Sequence, residues 1–334
     1  MRSIGDMAQA LVLRNRNVQI RQQIDRLGLE LSTGVVADKA RHLSGDLTAL
    51  AAMDRNLSVL DGFRIATTEA AQTTGVMQTT LGAIQTRTED VSLTLLQTDI
   101  MVSESLRSTV AKDALSALTS VMSDLNRTTY GRSLFGGTAT DRAPLGTSDT
   151  LIADLRGLLA GVTTLAGIEA QLDAWFDAPG GGFETQTYQG STTNLAPFQL
   201  GPSERAALDV RADDQVFRDM IRGLALAAIS DDDILDFDQG LRAEMLASAG
   251  NQLLQTQVPL TELRAGLGAL EARIEETVTR NAAETTATRL ARLDLIAVDP
   301  YETATQLENA QLQLESLYTV TARAARLSFT EYMR

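Results

Sequence analysis

The chain has no cysteine, which excludes disulfides, thiolate metal sites, iron–sulfur clusters and cysteine nucleophiles. It has a single histidine, His42, so a histidine metal cluster cannot form and a Ser/His/Asp triad would have to be built on that one ring. Aromatic residues are 4% of the sequence, few for an enzyme whose pocket leans on rings, and point to helices packed on small aliphatic side chains. Positive charge is also scarce: 29 basic against 43 acidic side chains leave a net charge of -14, which removes the footprint of a nucleic-acid or anionic-membrane binder. Only Lys39 and Lys112 among the basic residues are lysines, a compositional bias with no functional weight. No stretch approaches the roughly 18 to 20 apolar residues of a membrane span. The opening residues 1–14 are interrupted by Gly5, Asp6 and Gln9, so no cleaved secretory signal is expected.

What the chain has is length and helical periodicity. Its 334 residues, 44% of them apolar, suffice for one large or two to three ordinary domains. Met77, Leu81, Ile84, Thr88, Val91, Leu95, Thr98 and Val102 recur at steps of four and three, the seam of a coiled coil. Ile20, Ile24, Leu27 and Leu31 form an earlier stripe, and Leu50, Met53, Leu57 and Leu60 another. Near the far end, Leu263, Leu267, Leu270, Ile274 and Val278 predict one helix from Thr261 to Val298. Asp299-Pro300 then reads as a break and restart, since proline suits a first helical turn. Leu307, Ala310, Leu314, Leu317, Thr321, Ala324 and Leu327 carry the final stripe.

Between Gly136 and Ser203 the texture changes to turn punctuation, with Pro144, Pro179-Gly180-Gly181-Gly182, Gly190, Pro197 and Gly201-Pro202. Short strands are expected at Thr185 to Tyr188, Leu195 to Leu200 and Ala206 to Val210, flanked by helices at Leu151 to Phe176 and Asp213 to Ile229. The expected fold is therefore mainly α. Long N- and C-terminal helices, residues 1–140 with 236–334, pack as an antiparallel coiled-coil rod because each can bury its stripe most economically on the other. A smaller α+β module, 141–235, is inserted in the middle.

Several features invite sharper readings and do not sustain them. Asp231, Asp232 and Asp233 with Asp236 and Asp238 lack the glycine and terminal glutamate of a calcium loop, so a solvated turn before a helix is expected. Gly266-Leu267-Gly268 lies inside a helical pattern with no strand before it, and Pro179 to Gly182 has no lysine and serine or threonine after it. His42 reads as an ordinary loop or helix residue. No cofactor, metal ion or catalytic residue is assigned.

The motifs themselves resemble the flagellin superfamily, and within it the hook-associated proteins of the hook–filament junction, type 3. Leu31-Ser32-Thr33-Gly34 is similar to the turn after the first helix of that family. Tyr130 to Thr138 resembles the motif at the exit from its N-terminal helical region, Tyr188-Gln189-Gly190 a tripeptide of its insert, and Arg211 to Asp219 the start of the helix leaving the insert. Asp299-Pro300-Tyr301-Glu302 and Leu314 to Arg334 resemble its C-terminal helix. The order of these matches spans nearly the whole chain; residues 37–43 depart from the family pattern.

The resemblance implies a structural subunit, not an enzyme, exported by the flagellar type III apparatus without a cleaved signal and located in the extracellular flagellum. Its implied partners are the hook-side hook-associated protein, flagellin, further copies in a ring or tube and an export chaperone, with no nucleic acid and no membrane insertion. Ile20, Ile24, Leu27, Leu31, Leu307, Leu314, Leu317 and Leu327 are the expected subunit-contact residues. Flagellin itself and a cytoplasmic coiled-coil scaffold or signalling protein are the alternatives.

Overall fold

The computed structural model describes residues 4–97 and 103–332, and the protein is mainly α. In chain order the elements are α1 (Ile4–Thr33), α2 (Lys39–His42), α3 (Thr48–Leu96), α4 (Glu104–Leu125), β1 (Thr128–Thr129), β2 (Arg132–Ser133), α5 (Ser148–Leu158) and α6 (Leu165–Asp177). Then come β3 (Phe198–Gln199), β4 (Arg205–Ala206), α7 (Gln215–Ile229), α8 (Gln239–Ile296) and α9 (Pro300–Tyr332). Two compact units result: Met1–Asp61 with Ala282–Arg334, and Gly62–Asn281. Helices α3 and α8 contribute a stretch to each.

In the first unit α1 packs along α9. The pairing is antiparallel, because Arg21 donates to the Tyr318 hydroxyl at 2.5 Å while an antiparallel bridge joins Val35 to Ala297. The expected break at Asp299-Pro300 is present. Asp299 Oδ1 accepts from the backbone N–H groups of Tyr301 and Glu302, satisfying donors that a helix start leaves open, and Pro300 opens α9 where no N–H is needed. The first turns of α3 and the last of α8 are joined by Arg292 to Asp54 at 2.6 Å and by Asn56 to Glu284 and Thr288.

In the second unit α3 and α8 are also antiparallel, and their register is fixed by a polar ladder. Gln78 donates to the Arg264 carbonyl, Gln85 to the Thr261 hydroxyl and Gln257 to the Thr88 hydroxyl. The seam of Met77, Leu81, Ile84, Thr88 and Leu95 is buried as its spacing requires; Thr98 and Val102 lie outside the described residues. Helix α7 is the centre of this unit. Phe217, Met220, Ile221 and Leu224 form its buried apolar face, Arg222 on another face pairs with Asp173 and Asp177, and the helix packs against α4, α5 and α6.

Five local expectations are corrected. The helix expected at Leu151 to Phe176 is two, α5 and α6, because the Thr164 hydroxyl caps a new start by accepting the Gly167 N–H. Thr185 to Tyr188 is not a strand: Phe183–Thr187 forms a π-helical turn, after which Tyr188 bridges to Leu145. The helix expected from Thr261 starts at Gln239 and runs through Pro259, which is exposed. The acidic turn is not merely solvated, since Asp232 accepts from Arg156 and Asp231 from Ser108 and Arg242. Strands at Leu195 to Leu200 and Ala206 to Val210 shrink to the two-residue pair β3 and β4. The scarce aromatics are concentrated rather than spread. Phe135 meets Phe217 edge-on at 6.2 Å, and Trp175, Phe176, Phe183 and Tyr188 form a continuous chain of ring contacts.

Candidate assembly interface

The stripe residues of α1 fall on one face. Ile20 and Leu27 are buried, Ile24 is half-buried, and Leu31 at the end of the helix is exposed. On α9, Ala310 is buried and Leu307, Leu314 and Leu317 are half-buried. The side chain of Leu327 lies outside the described residues. Since α1 packs on α9, these stripes serve first to hold the two terminal helices together within one chain.

A second set of apolar residues was not picked out by the sequence stripes. Met7, Leu11, Val18 and Leu29 are all exposed large apolar side chains on α1. At about 100° of rotation per residue they fall within a sector of about 40°, on the side opposite Ile20 and Leu27. On α9 the exposed Tyr301 and Leu312 lie opposite Leu307, Ala310 and Leu314, whereas exposed Tyr318 and Val320 fall on other sides of the helix. Helix α1 is thus apolar on two opposite faces. The second face does not read as a heptad stripe because its residues are spaced by four, seven and eleven.

Charge is partitioned between the units. Thirteen basic and 14 acidic side chains leave the first unit at -1, whereas 16 basic and 29 acidic leave the second at -13. A nearly neutral unit with spare apolar faces can be stacked in many copies without accumulating repulsion.

In the second unit the structure brings three of the motif segments together. Ala212 N–H donates to the Phe135 carbonyl, Ser191 N–H to the Gly136 carbonyl and Thr138 N–H to the Thr193 carbonyl. A Cβ at Gly137, whose φ is +61°, would stand 2.4 Å from the Thr193 carbonyl oxygen and 2.9 Å from that of Ser191. The Tyr188 hydroxyl donates to the Ser191 carbonyl at 2.8 Å, and burial pushes its pKa well above the ordinary tyrosine value. Arg211 donates to Asp213 and to Asn194, and the Asp213 bond raises its pKa further. Burial raises that of Asp214, which accepts the Arg211 N–H. Asn126 was not singled out by any sequence pattern, yet its amide both donates to and accepts from the Leu145 backbone, at 3.0 and 2.8 Å. Arginine, tyrosine and carboxylates here are spent on one another and on backbone, so the junction holds chain segments in place. His42 is exposed on α2. Among the described residues no group of three or more histidine, aspartate or glutamate side chains is placed to hold a metal ion, and no helix is long and apolar enough to cross a membrane.

Residues 252–333, which take in most of α8 and the whole of α9, match the bacterial flagellin C-terminal helical region. The flagellin resemblance read from the motifs is therefore supported over the segment that contributes α9 and its half of the α1–α9 pair. The fold as a whole is similar to that of a protein from Vibrio parahaemolyticus described as a flagellar hook-associated protein, with a TM-score of 0.53 and 14% identity over 75% of this chain and 99% of that one. No curated protein matches the chain in sequence.

Proposed function

We propose that this protein is a structural subunit of the bacterial flagellum, acting at the junction between hook and filament. The observation that supports this reading is the packed pair of terminal helices, of which α9 lies in the segment similar to the flagellin C-terminal region and α1 keeps a second apolar face exposed. A pair of this kind is finished as an intramolecular unit and unfinished as a surface. In the proposed assembly the exposed faces of α1 and α9 meet neighbouring flagellar proteins, with Ile20, Ile24, Leu27, Leu31, Leu307, Leu314, Leu317 and Leu327 holding the terminal helices in the geometry that contact requires. The partners are the hook-side hook-associated protein, flagellin and further copies of this chain. Export proceeds through the flagellar type III apparatus with a dedicated chaperone and no cleaved signal, and the inserted segment 141–235 is not part of the assembling core. The chain performs no catalysis in this role.

Deletion of the gene tests the reading, with hooks, filaments and flagellin located by electron microscopy and immunoblotting of cells and medium. Bare hooks with flagellin shed into the medium are expected. Bare hooks with no flagellin anywhere would make the chain the filament subunit, and unchanged filaments would refute a junction role.

A further inference from the structure

We propose that Arg264, where α8 packs on α3, is a carboxylate-binding site: the fork of its guanidinium takes a carboxylate that the chain does not itself supply. The other arginines of the second unit set the contrast. Half-buried Arg87, Arg156, Arg211, Arg222 and Arg242 each reach an aspartate, at 2.5 to 3.1 Å. Arg264 is half-buried like them, yet it forms no ion pair with any described residue. Its guanidinium makes one hydrogen bond among those residues, from Nη1 to the side-chain oxygen of Gln85.

That bond leaves the more selective edge open. Nη1 lies on the same side as Cδ, so Nε and Nη2 together form the edge whose two parallel N–H groups grip a carboxylate bidentately. Nε is closed off from water and has no partner, a costly state for a donor. Nη2 is also unpartnered and is not closed off. The pairing that Nε lacks must therefore come with a group that seats on Nη2 and reaches inward, which a carboxylate with two oxygens does.

Both helices build the site. A Cβ at Gly82 of α3 would stand 3.3 Å from Nη2, so a glycine, poor as a helix former, opens the notch in which the guanidinium lies. Gln78 donates to the Arg264 carbonyl, and Gln85, which donates to the Thr261 hydroxyl, holds Nη1. The counter-ion is what these helices withhold. Residues 70–88 of α3 contain no aspartate or glutamate, although the unit has 29 acidic side chains. On α8, Glu262 is two residues away, a spacing that puts it on another face, and Glu271 lies two turns along, beside Gly75.

Charge selects the ligand class. One arginine in a unit of net charge -13 suits a singly charged planar anion, whereas a doubly charged phosphate meets more repulsion than one guanidinium offsets. A small acid in solution and an acidic side chain of another protein present the same carboxylate to the fork. The site is inferred from hydrogen bonding within the second unit, independently of the hook–filament role.

The purified full chain tests this by NMR of the Arg264 Nε–H and by urea unfolding followed at Trp175. Acetate is compared with chloride at equal ionic strength, alongside N-acetylglutamate amide as the side-chain mimic and N-acetylglutamine amide as its uncharged twin. The two carboxylates should shift the Nε–H resonance to saturation and raise the urea midpoint above that in chloride, and the uncharged twin should do neither. Arg264→Gln should lose the rise, and Arg264→Lys, which keeps the charge without the fork, should need about tenfold more acetate for it. Tighter binding of the glutamate mimic than of acetate would assign the site to a protein side chain, and equal or weaker binding to free carboxylates. A native chain that responds to carboxylates as it does to chloride, or an Arg264→Gln chain that keeps the rise, overturns the site. Should Arg264→Gln not fold, the titration of the native resonance decides alone.

Discussion

Gly137→Ala should destabilise the second unit far more than Gly131→Ala, and the difference measures the junction of the motif segments. Both glycines have positive φ, +61° and +74°, so each alanine incurs the left-handed backbone penalty of about 1–2 kcal/mol. Both substitutions also stiffen the unfolded chain to the same degree. What differs is space: a Cβ at Gly131 meets nothing within 4 Å, whereas one at Gly137 lies 2.4 Å from the Thr193 carbonyl oxygen. Relief requires the 191–193 segment to retreat, which breaks the bonds from Thr138 to Thr193 and from Ser191 to Gly136, each worth about 1 kcal/mol. Residual crowding adds about 1 kcal/mol. Gly137→Ala should therefore cost about 2–3 kcal/mol more than Gly131→Ala. Trp175, the only tryptophan, is buried in this unit and reports its unfolding alone. With a urea dependence of about 3 kcal/mol per molar, the midpoints of the two variants should differ by about 1 M. Midpoints that coincide would show that the 191–193 loop yields freely and that the three motif segments are not mechanically joined.

Leu314→Asp, which puts a carboxylate into the half-buried face of α9, should cost the α1–α9 pair about 3 kcal/mol and abolish incorporation into flagella; Trp175-detected unfolding should stay unchanged, and normal incorporation would refute the need for that pair. Burial holds the Tyr188 hydroxyl protonated in the folded state, so its contribution is fully present below about pH 10 and is lost as pH rises through the raised folded-state value. Between pH 8 and 11 the native urea midpoint should fall more steeply than that of Tyr188→Phe, itself lower at pH 8 by about 1 kcal/mol for the lost bond to Ser191; parallel curves would contradict the burial argument. Pro259→Ala restores the N–H that the Gln255 carbonyl lacks and should stabilise the second unit by about 2 kcal/mol in urea.

The long elements were legible because their evidence is periodic. The seam from Met77 to Leu95 and the capped restart at Asp299-Pro300 each follow from spacing or from one local signal, and both appear in the structure. The irregular region was harder for a physical reason. Around Phe183 the backbone bonds of a π-helical turn depend on segments far apart in sequence, such as Pro144 to Gln189 and Thr187 to Gly146, which no local window contains. Pro259 misled in the opposite direction: it is exposed, so only one backbone bond is lost, and the packing of Leu253 and Leu260 on either side outweighs it. The Thr164 cap that divides α5 from α6 was readable, since a threonine before a helical run accepts an N–H three residues on.

The second apolar face of α1 was hidden by the method that found the first. A search for one stripe scores a helix by how strongly its apolar residues favour one side, and a helix with Ile20 and Leu27 on one side and Leu11 and Val18 on the other cancels its own signal. That cancellation carries information. A helix of an independent globular unit keeps its outer face polar because water is its outer neighbour, and charge on that face costs nothing. Helix α1 keeps large apolar groups there, in the one unit whose net charge is close to zero, while the acid of the chain is gathered in the other unit. In the proposed role the acidic unit supplies solubility and the nearly neutral unit supplies contact. Exchanging exposed Met7, Leu11, Val18 and Leu29 for glutamate would make the first unit resemble an ordinary soluble helical domain, with the α1–α9 pair intact and nothing left to hold a neighbour.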